Sequence, residues 1–143
     1  MTINQAAGDS ILNLILRAVA WANIADNAAS GPLTDLWVAL HTADPGATGN
    51  QTTNEVSYTS YARVAIARTT MGWGAASAGA TSPAANITFP TGTGGSGTAT
   101  FASVGTASSG TGSIILSGPV SPAIVTGNGV TPALTTSSVA SLA

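Results

Sequence analysis

Apolar residues fall along the chain in two rhythms, and the change between them divides the sequence. From Ile11 to Ala25 they are nearly continuous, broken only at Asn13, Arg17 and Asn23. Wound at about 100° per residue, they cover almost the whole circumference, and Asn13 with Arg17, four apart, leaves one narrow polar strip. This predicts a helix from about Ser10 to Ala28, with Asp9 or Ser10 as its N-cap and Ser30-Gly31-Pro32 as its stop. A helix that is apolar all round is buried, in the core of its own domain or in the core of an oligomer. The run is interrupted too often and is too short to span a membrane.

From Leu36 the period becomes two. Leu36 to Thr42 presents Leu36/Val38/Leu40 on one face and Trp37/Ala39/His41 on the other, and both faces are largely apolar, as in a strand covered on both sides. Asp44-Pro45-Gly46 ends it: the residue before proline is pushed extended, Pro45 presets φ, and Gly46 takes a conformation a β-carbon would resist. A polar loop through Gln51 and Asn54 leads to Tyr61–Arg68, where Val64 and Ile66 share one face and Tyr61 and Arg63 the other. Beyond Arg68 come short strands and glycine turns. Met71–Ser82 reads as a loop pinned by Trp73, and Ile87–Phe89 as a strand ended by Pro90. Thr98–Val104 and Ser113–Ser117 read as an antiparallel pair. Asn128-Gly129 signals a tight turn between Ile124–Thr126 and Val130–Leu134. Pro119, Pro122 and Pro132 keep these last strands at edges or strand starts. The expected fold is mainly β, a compact antiparallel sandwich or barrel preceded by one N-terminal apolar helix. A chain of 143 residues reads as one domain, with a helical segment over 1–30 and a β domain over 33–143.

Charge sharpens this picture. The chain has three basic and five acidic residues, a net charge of −2 and no cysteine. Disulfides, cysteine zinc sites and a thiol nucleophile are therefore excluded. Three scattered arginines cannot neutralise a phosphate backbone, so no nucleic-acid partner is expected. Residues 1–10 lack a basic n-region, which predicts no secretory signal. Every charged residue lies between Asp9 and Arg68, and none occurs from Thr69 to Ala143. Self-standing domains place charge on about 25–35% of their surface, so this neutral half is expected to lie against neighbouring subunits.

Candidate chemistry is sparse. Gly92-Thr93-Gly94-Gly95-Ser96-Gly97 matches G-x-G-x-x-G, but a strand follows where a helix is needed and no acidic residue lies downstream. It reads as a flexible loop. His41 has Asp44 and Glu55 within reach along the chain, yet there is no G-x-S-x-G elbow, and a lone histidine at a strand end reads as a hydrogen-bond cap. Asp44, Asn50, Asn54 and Glu55 could offer oxygens to Ca²⁺ but miss the EF-hand spacing, and read as a solvated loop. No catalytic residue, cofactor or metal site is expected.

The stretch LWVALHTADPGATGNQTTNEVSYTSYARVAIAR, Leu36–Arg68, resembles a segment of small structural proteins of tailed bacteriophages, labelled tail-fibre or head-decoration proteins. Ala84–Pro90 and Ser108–Gly112 are similar to that family's later segments, so the resemblance covers most of Leu33–Thr136. It implies a non-enzymatic virion component. Of the two placements, a capsid decoration protein on the outer shell is preferred, a homotrimer clamping the major capsid protein; a tail or tail-fibre component is the alternative. The candidate interface residues are Leu14, Leu16 and Arg17 on the helix, Tyr58 and Tyr61 as aromatic anchors, and Arg63 and Arg68. The two last are five apart and so point to opposite faces, one toward an internal carboxylate and one across a subunit boundary. His41→Ala is expected to change stability only modestly.

Overall fold

A computed structural model describes residues 5–21 and 33–142. They form one helix, α1 (Gln5–Arg17), and eight strands: β1 (Asp35–His41), β2 (Val64–Ala67), β3 (Ala80–Thr81), β4 (Ile87–Thr88), β5 (Ser96–Gly105), β6 (Ile114–Gly127), β7 (Ala133–Leu134) and β8 (Ala140–Ser141). The fold is mainly β, with antiparallel sheets and one short N-terminal helix. The chain divides into two compact units assembled from separated stretches. One comprises Met1–Asp35, Ala67–Asn86 and Leu134–Ala143, the other Leu36–Ile66 and Ile87–Ala133.

In the first unit, α1 starts earlier and stops sooner than the expected Ser10–Ala28 helix. Asp9 and Ser10 lie inside the helix instead of capping it. The Asp9 carboxylate is drawn off to accept from the Gly79 N–H, while the Ser10 hydroxyl bonds back to the Ala6 carbonyl at 3.0 Å. The helix ends where Ala18 turns to φ 54° and the Val19 N–H returns to the Asn13 carbonyl. Residues 22–32, which include the rest of the expected helix and its Ser30-Gly31-Pro32 stop, lie outside the described residues. Leu12 and Leu16, four apart, are fully buried. The polar strip docks as well: Asn13 Oδ1 accepts from the Ala76 N–H at 3.2 Å and from Arg17 Nη1 at 2.7 Å.

Arg68 closes this helix. Its guanidinium donates to the carbonyls of Leu14 and Ile15, and to that of Leu33. The last four carbonyls of a helix lack partners within it, and the negative end of the helix dipole favours a cation there. Trp73 is buried as expected, with Pro83 bridged opposite it, and the following chain folds back through β3 to pair with β8.

The second unit holds the larger sheet, in the order β2-β1-β5-β6. β1 is one of its two inner strands, and Leu36, Val38, Ala39, Leu40 and His41 are all buried, as two apolar faces require. β1 pairs antiparallel with β5 from Trp37↔Gly105 to His41↔Phe101. β5 and β6 form the expected antiparallel pair, and the Thr106 N–H bonds to the Ser113 carbonyl across their turn. β6 runs further than expected. Ile124–Thr126 is a continuation of it, because Ile124 and Val125 pair with Ala99 and Thr98 of the same β5. Between Pro119, opposite Phe101, and Ile124, opposite Ala99, the residues Val120–Ala123 bulge from the ladder. Pro119 and Pro122 sit at this outer strand and its bulge, where a missing N–H is tolerated, and Pro132 just before β7. The Asn128-Gly129 turn forms, but the strand after it shrinks to β7, which pairs with β4 and not with β6.

The Gly92–Gly97 segment is tied down on both sides, against the flexible loop expected. The Gly92 N–H bonds to the Val130 carbonyl, the Gly129 N–H to the Gly92 carbonyl, and Thr59 and Thr93/Gly94 exchange backbone bonds. A β-carbon on Gly92 would lie 2.0 Å from the Gly127 carbonyl oxygen. The glycine is there so that two backbones can touch.

Candidate functional site

The polar side chains singled out in the sequence converge inside the second unit, on the loop between β1 and β2. Asp44 Oδ1 accepts from the Gly46 N–H at 2.8 Å, and Asn54 Nδ2 donates to the Asp44 carbonyl at 3.0 Å, which folds the loop back toward β1. Asn50 Oδ1 accepts from the Thr52 N–H and hydroxyl at 2.9 and 2.6 Å. These oxygens are turned to the chain's own donors. Glu55 lies opposite His41 in a bridge.

Arg63 holds the centre. Its Nε and Nη2 donate to the two oxygens of Glu55 at 2.7 and 2.8 Å, the forked geometry that suits guanidinium and carboxylate. Nη1 reaches the Ala107 carbonyl at 3.0 Å and Nη2 the Gly110 carbonyl at 2.7 Å. One buried side chain thereby ties the Glu55 loop to the β5–β6 turn. The Tyr61 hydroxyl donates to Glu55 Oε1 at 3.0 Å and accepts from the Leu40 N–H at 3.1 Å. Its ring stacks on Phe89 at 6.2 Å and meets Tyr58 edge-on at 5.4 Å. Burial raises the phenol pKa of both tyrosines, and the Glu55 hydrogen bond raises that of Arg63.

His41 forms a second strut. Its Nδ1 lies 2.8 Å from the Thr53 carbonyl oxygen and its Nε2 2.8 Å from Ser103 Oγ. A carbonyl only accepts, so Nδ1 carries the proton and Nε2 accepts from the serine hydroxyl. The orienting group is Thr53, in place of the Asp44 or Glu55 weighed from the sequence. A serine donating to a histidine is the arrangement that activates nucleophiles, but His41 is 0% and Ser103 2% exposed. Both groups face protein, so the pair joins β1, β5 and the loop. Removing a side chain buried this completely leaves a cavity and two unpaired polar groups. His41→Ala is therefore expected to cost about 2–4 kcal/mol, well above the modest change expected from the sequence.

Burial, more than the opposing Thr53 and Glu55 contributions, pushes the His41 pKa below its ordinary 6.5. The unfolded chain then binds more protons than the folded one between the lowered value and 6.5, so stability rises with pH there. It is complete above about pH 6.5 and falls as the pH drops through 6.5 toward the lowered value. Melting temperature measured from pH 8 to pH 5 is expected to decline below pH 6.5. His41→Gln should flatten the profile, since this is the chain's single histidine. An equally steep decline in the variant would remove His41 as the cause.

Gln51 was passed over in the sequence as a loop residue. It is fully buried: Nε2 donates to the Trp37 carbonyl at 3.2 Å and Oε1 accepts from the Ala107 N–H at 2.9 Å. A β-carbon on Gly105 or Gly112 would lie 2.2 or 2.3 Å from this side chain. Nothing local to Gln51 announces partners so far along the chain.

The candidate interface residues are distributed as follows. Leu16 is fully buried, Leu14 and Arg17 half-buried, Tyr58 and Arg63 buried, Tyr61 and Arg68 half-buried. Tyr58 donates its hydroxyl to the Pro90 carbonyl at 2.8 Å. Arg63 takes an internal carboxylate, and Arg68 takes carbonyls at the helix end. Their bonds run within the chain.

The family profile of the Podophage GP4 fiber I protein gp80 matches residues 3–140. No curated protein matches the chain.

Proposed function

Because the chain belongs to the Podophage GP4 fiber I protein gp80 family, a family of phage virion structural proteins, we propose that it serves as a structural subunit of a tail fibre. The observation that carries this is the family match across nearly the whole chain. The word fiber in the family's description favours the tail-fibre placement over the capsid decoration preferred from the sequence. The internal architecture agrees with a mechanical role. Arg63, Glu55, His41 and Gln51 are spent on joining strands to loops, and the neutral half of the chain leaves contacts to shape and backbone pairing. Such contacts depend little on salt, since few ion pairs are available to be screened.

The test is to separate purified virions into heads and tails and quantify the protein in each against the major capsid protein. The reading expects it in the tail fraction, far below the capsid protein in copy number. Recovery on heads in numbers comparable to capsomers would overturn it and restore the decoration reading, in which it would cement the outer shell.

A further inference from the structure

Four of the five asparagines among the described residues are tied down by their carboxamides. Asn13 Oδ1 accepts from the Ala76 N–H and Arg17, Asn50 Oδ1 from Thr52, and Asn86 Oδ1 from the Thr136 N–H. Asn54 Nδ2 donates to the Asp44 carbonyl. Asn128 is the fifth. It is exposed, and its side chain makes no hydrogen bond among the described residues. It is also the chain's single asparagine followed by a glycine.

That dipeptide has a chemistry of its own. The backbone nitrogen after an asparagine can attack its Cγ, and a glycine puts no β-carbon in the way. The nitrogen gives its proton to solvent as the new N–Cγ bond closes a five-membered succinimide. The carboxamide C–N bond breaks, and its nitrogen takes up a proton and leaves as ammonia. Water then opens the ring. Attack at Cγ gives aspartate. Attack at the main-chain carbonyl carbon breaks the original peptide bond and gives isoaspartate, whose backbone runs through Cβ and Cγ. The sum is water in and ammonia out, with no oxidant and no second protein.

The fold holds this reaction at its first step. The Val130 N–H bonds to the Gly127 carbonyl at 3.1 Å, and of the two residues between them only Gly129 has a positive φ, 75°. Residues 127–130 therefore make a type II turn. The attacking nitrogen is not free within it. The Gly129 N–H donates to the Gly92 carbonyl at 2.8 Å, and the Gly92 N–H to the Val130 carbonyl at 2.9 Å. These two bonds fix the plane of the peptide between Asn128 and Gly129 and occupy the proton that has to leave. We propose that Asn128 is a self-modification site gated by Gly92, dormant while the turn is docked and converted to aspartate or isoaspartate when it opens. The isoaspartate form cannot dock again. Gly92 and Gly127 already touch, since a β-carbon on Gly92 would lie 2.0 Å from the Gly127 carbonyl oxygen, and a longer backbone has no slack to enter there. Either product places a carboxylate in residues 69–143, which otherwise carry no charge. That charge must be desolvated wherever a neighbouring subunit covers it. The site thus marks subunits whose turn has opened, wherever in the virion the protein sits.

The test is to incubate the full chain at one pH and temperature, folded in buffer and unfolded in guanidinium chloride. Peptide mass mapping follows residue 128 through the replacement of NH₂ by OH and the separation of isoaspartate from aspartate. Conversion in the folded protein is expected to be at least about tenfold slower, because only molecules with the turn open can react. Gly92→Ala drives a β-carbon into the Gly127 carbonyl, and the folded variant should convert several-fold faster than wild type in buffer. Should it fail to fold, amide hydrogen exchange of Gly129 in the wild type carries the test. Exchange and conversion should then rise together in guanidinium too dilute to unfold the chain. Asn128→Asp supplies the charge without the longer backbone and should melt with the wild type, whereas the isoaspartate fraction melts lower. Conversion as fast in the folded chain as in the unfolded one overturns the proposal. So does a folded Gly92→Ala no faster than wild type, or Gly129 exchange that does not track conversion.

Discussion

Arg63→Ala is expected to lower the free energy of unfolding by about 3–5 kcal/mol, the usual cost of removing one partner of a buried ion pair. The Arg63 side chain is 3% exposed and that of Glu55 16%, so solvent does little to relieve the carboxylate left behind. Two loop carbonyls, Ala107 and Gly110, lose their donor as well. For a chain of this size the melting temperature should fall by roughly 10–20 °C. Arg63→Lys keeps the charge but not the fork, and should fall between. Replacing both partners by leucine removes the charge left behind and should recover part of the loss. Thermal and denaturant unfolding of the four proteins measure this. A loss under 1 kcal/mol for Arg63→Ala would mean that the pair does not hold the loop to the β5–β6 turn.

Leu16→Asp is expected to abolish soluble folded protein. Leu16 is 0% exposed, and its side chain faces the interior of its unit. An unpaired carboxylate in such a place costs several kcal/mol, much of the 5–15 kcal/mol that holds an average domain folded. Leu14→Asp, at a half-buried position, can turn its carboxylate toward water and should do less harm. Expression, solubility and circular dichroism of both variants give the comparison. Equal melting of Leu16→Asp and wild type would sink the packed-helix account.

Much of the second unit was legible because its signals are local. Leu36–Thr42 could be placed as a doubly covered strand from seven residues, and Thr98–Val104 with Ser113–Ser117 as a hairpin from their alternation. Pro119 and Pro122 correctly implied an edge. What could not be read is what depends on distant chain. Arg68 caps a helix whose Ile15 carbonyl is 53 residues away, and no pattern around Arg68 distinguishes that role from an ion pair. The helix limits failed for a related reason. Asp9 has the right chemistry for an N-cap, but the N–H it takes belongs to Gly79, 70 residues on. Gln51 is hidden in the same way, its buried site being shaped by Gly105 at the far end of β5 and Gly112 in the turn beyond.

The strut between His41 and Ser103 joins residues 62 apart, and this separation governs how the protein comes into being. β5 and β6 are neighbours in sequence and can close as a hairpin by themselves, and β1 can meet β2 early, but the other side of β1 has no partner until β5 has been made. At the usual 5–20 residues per second, a ribosome leaves that apolar strand waiting about 3–12 s. Pairing so distant also slows the search once the chain is complete, because a long loop must close before any contact rewards it. The same β1 that anchors the finished sheet thus offers one unpaired edge to other nascent chains until β5 arrives.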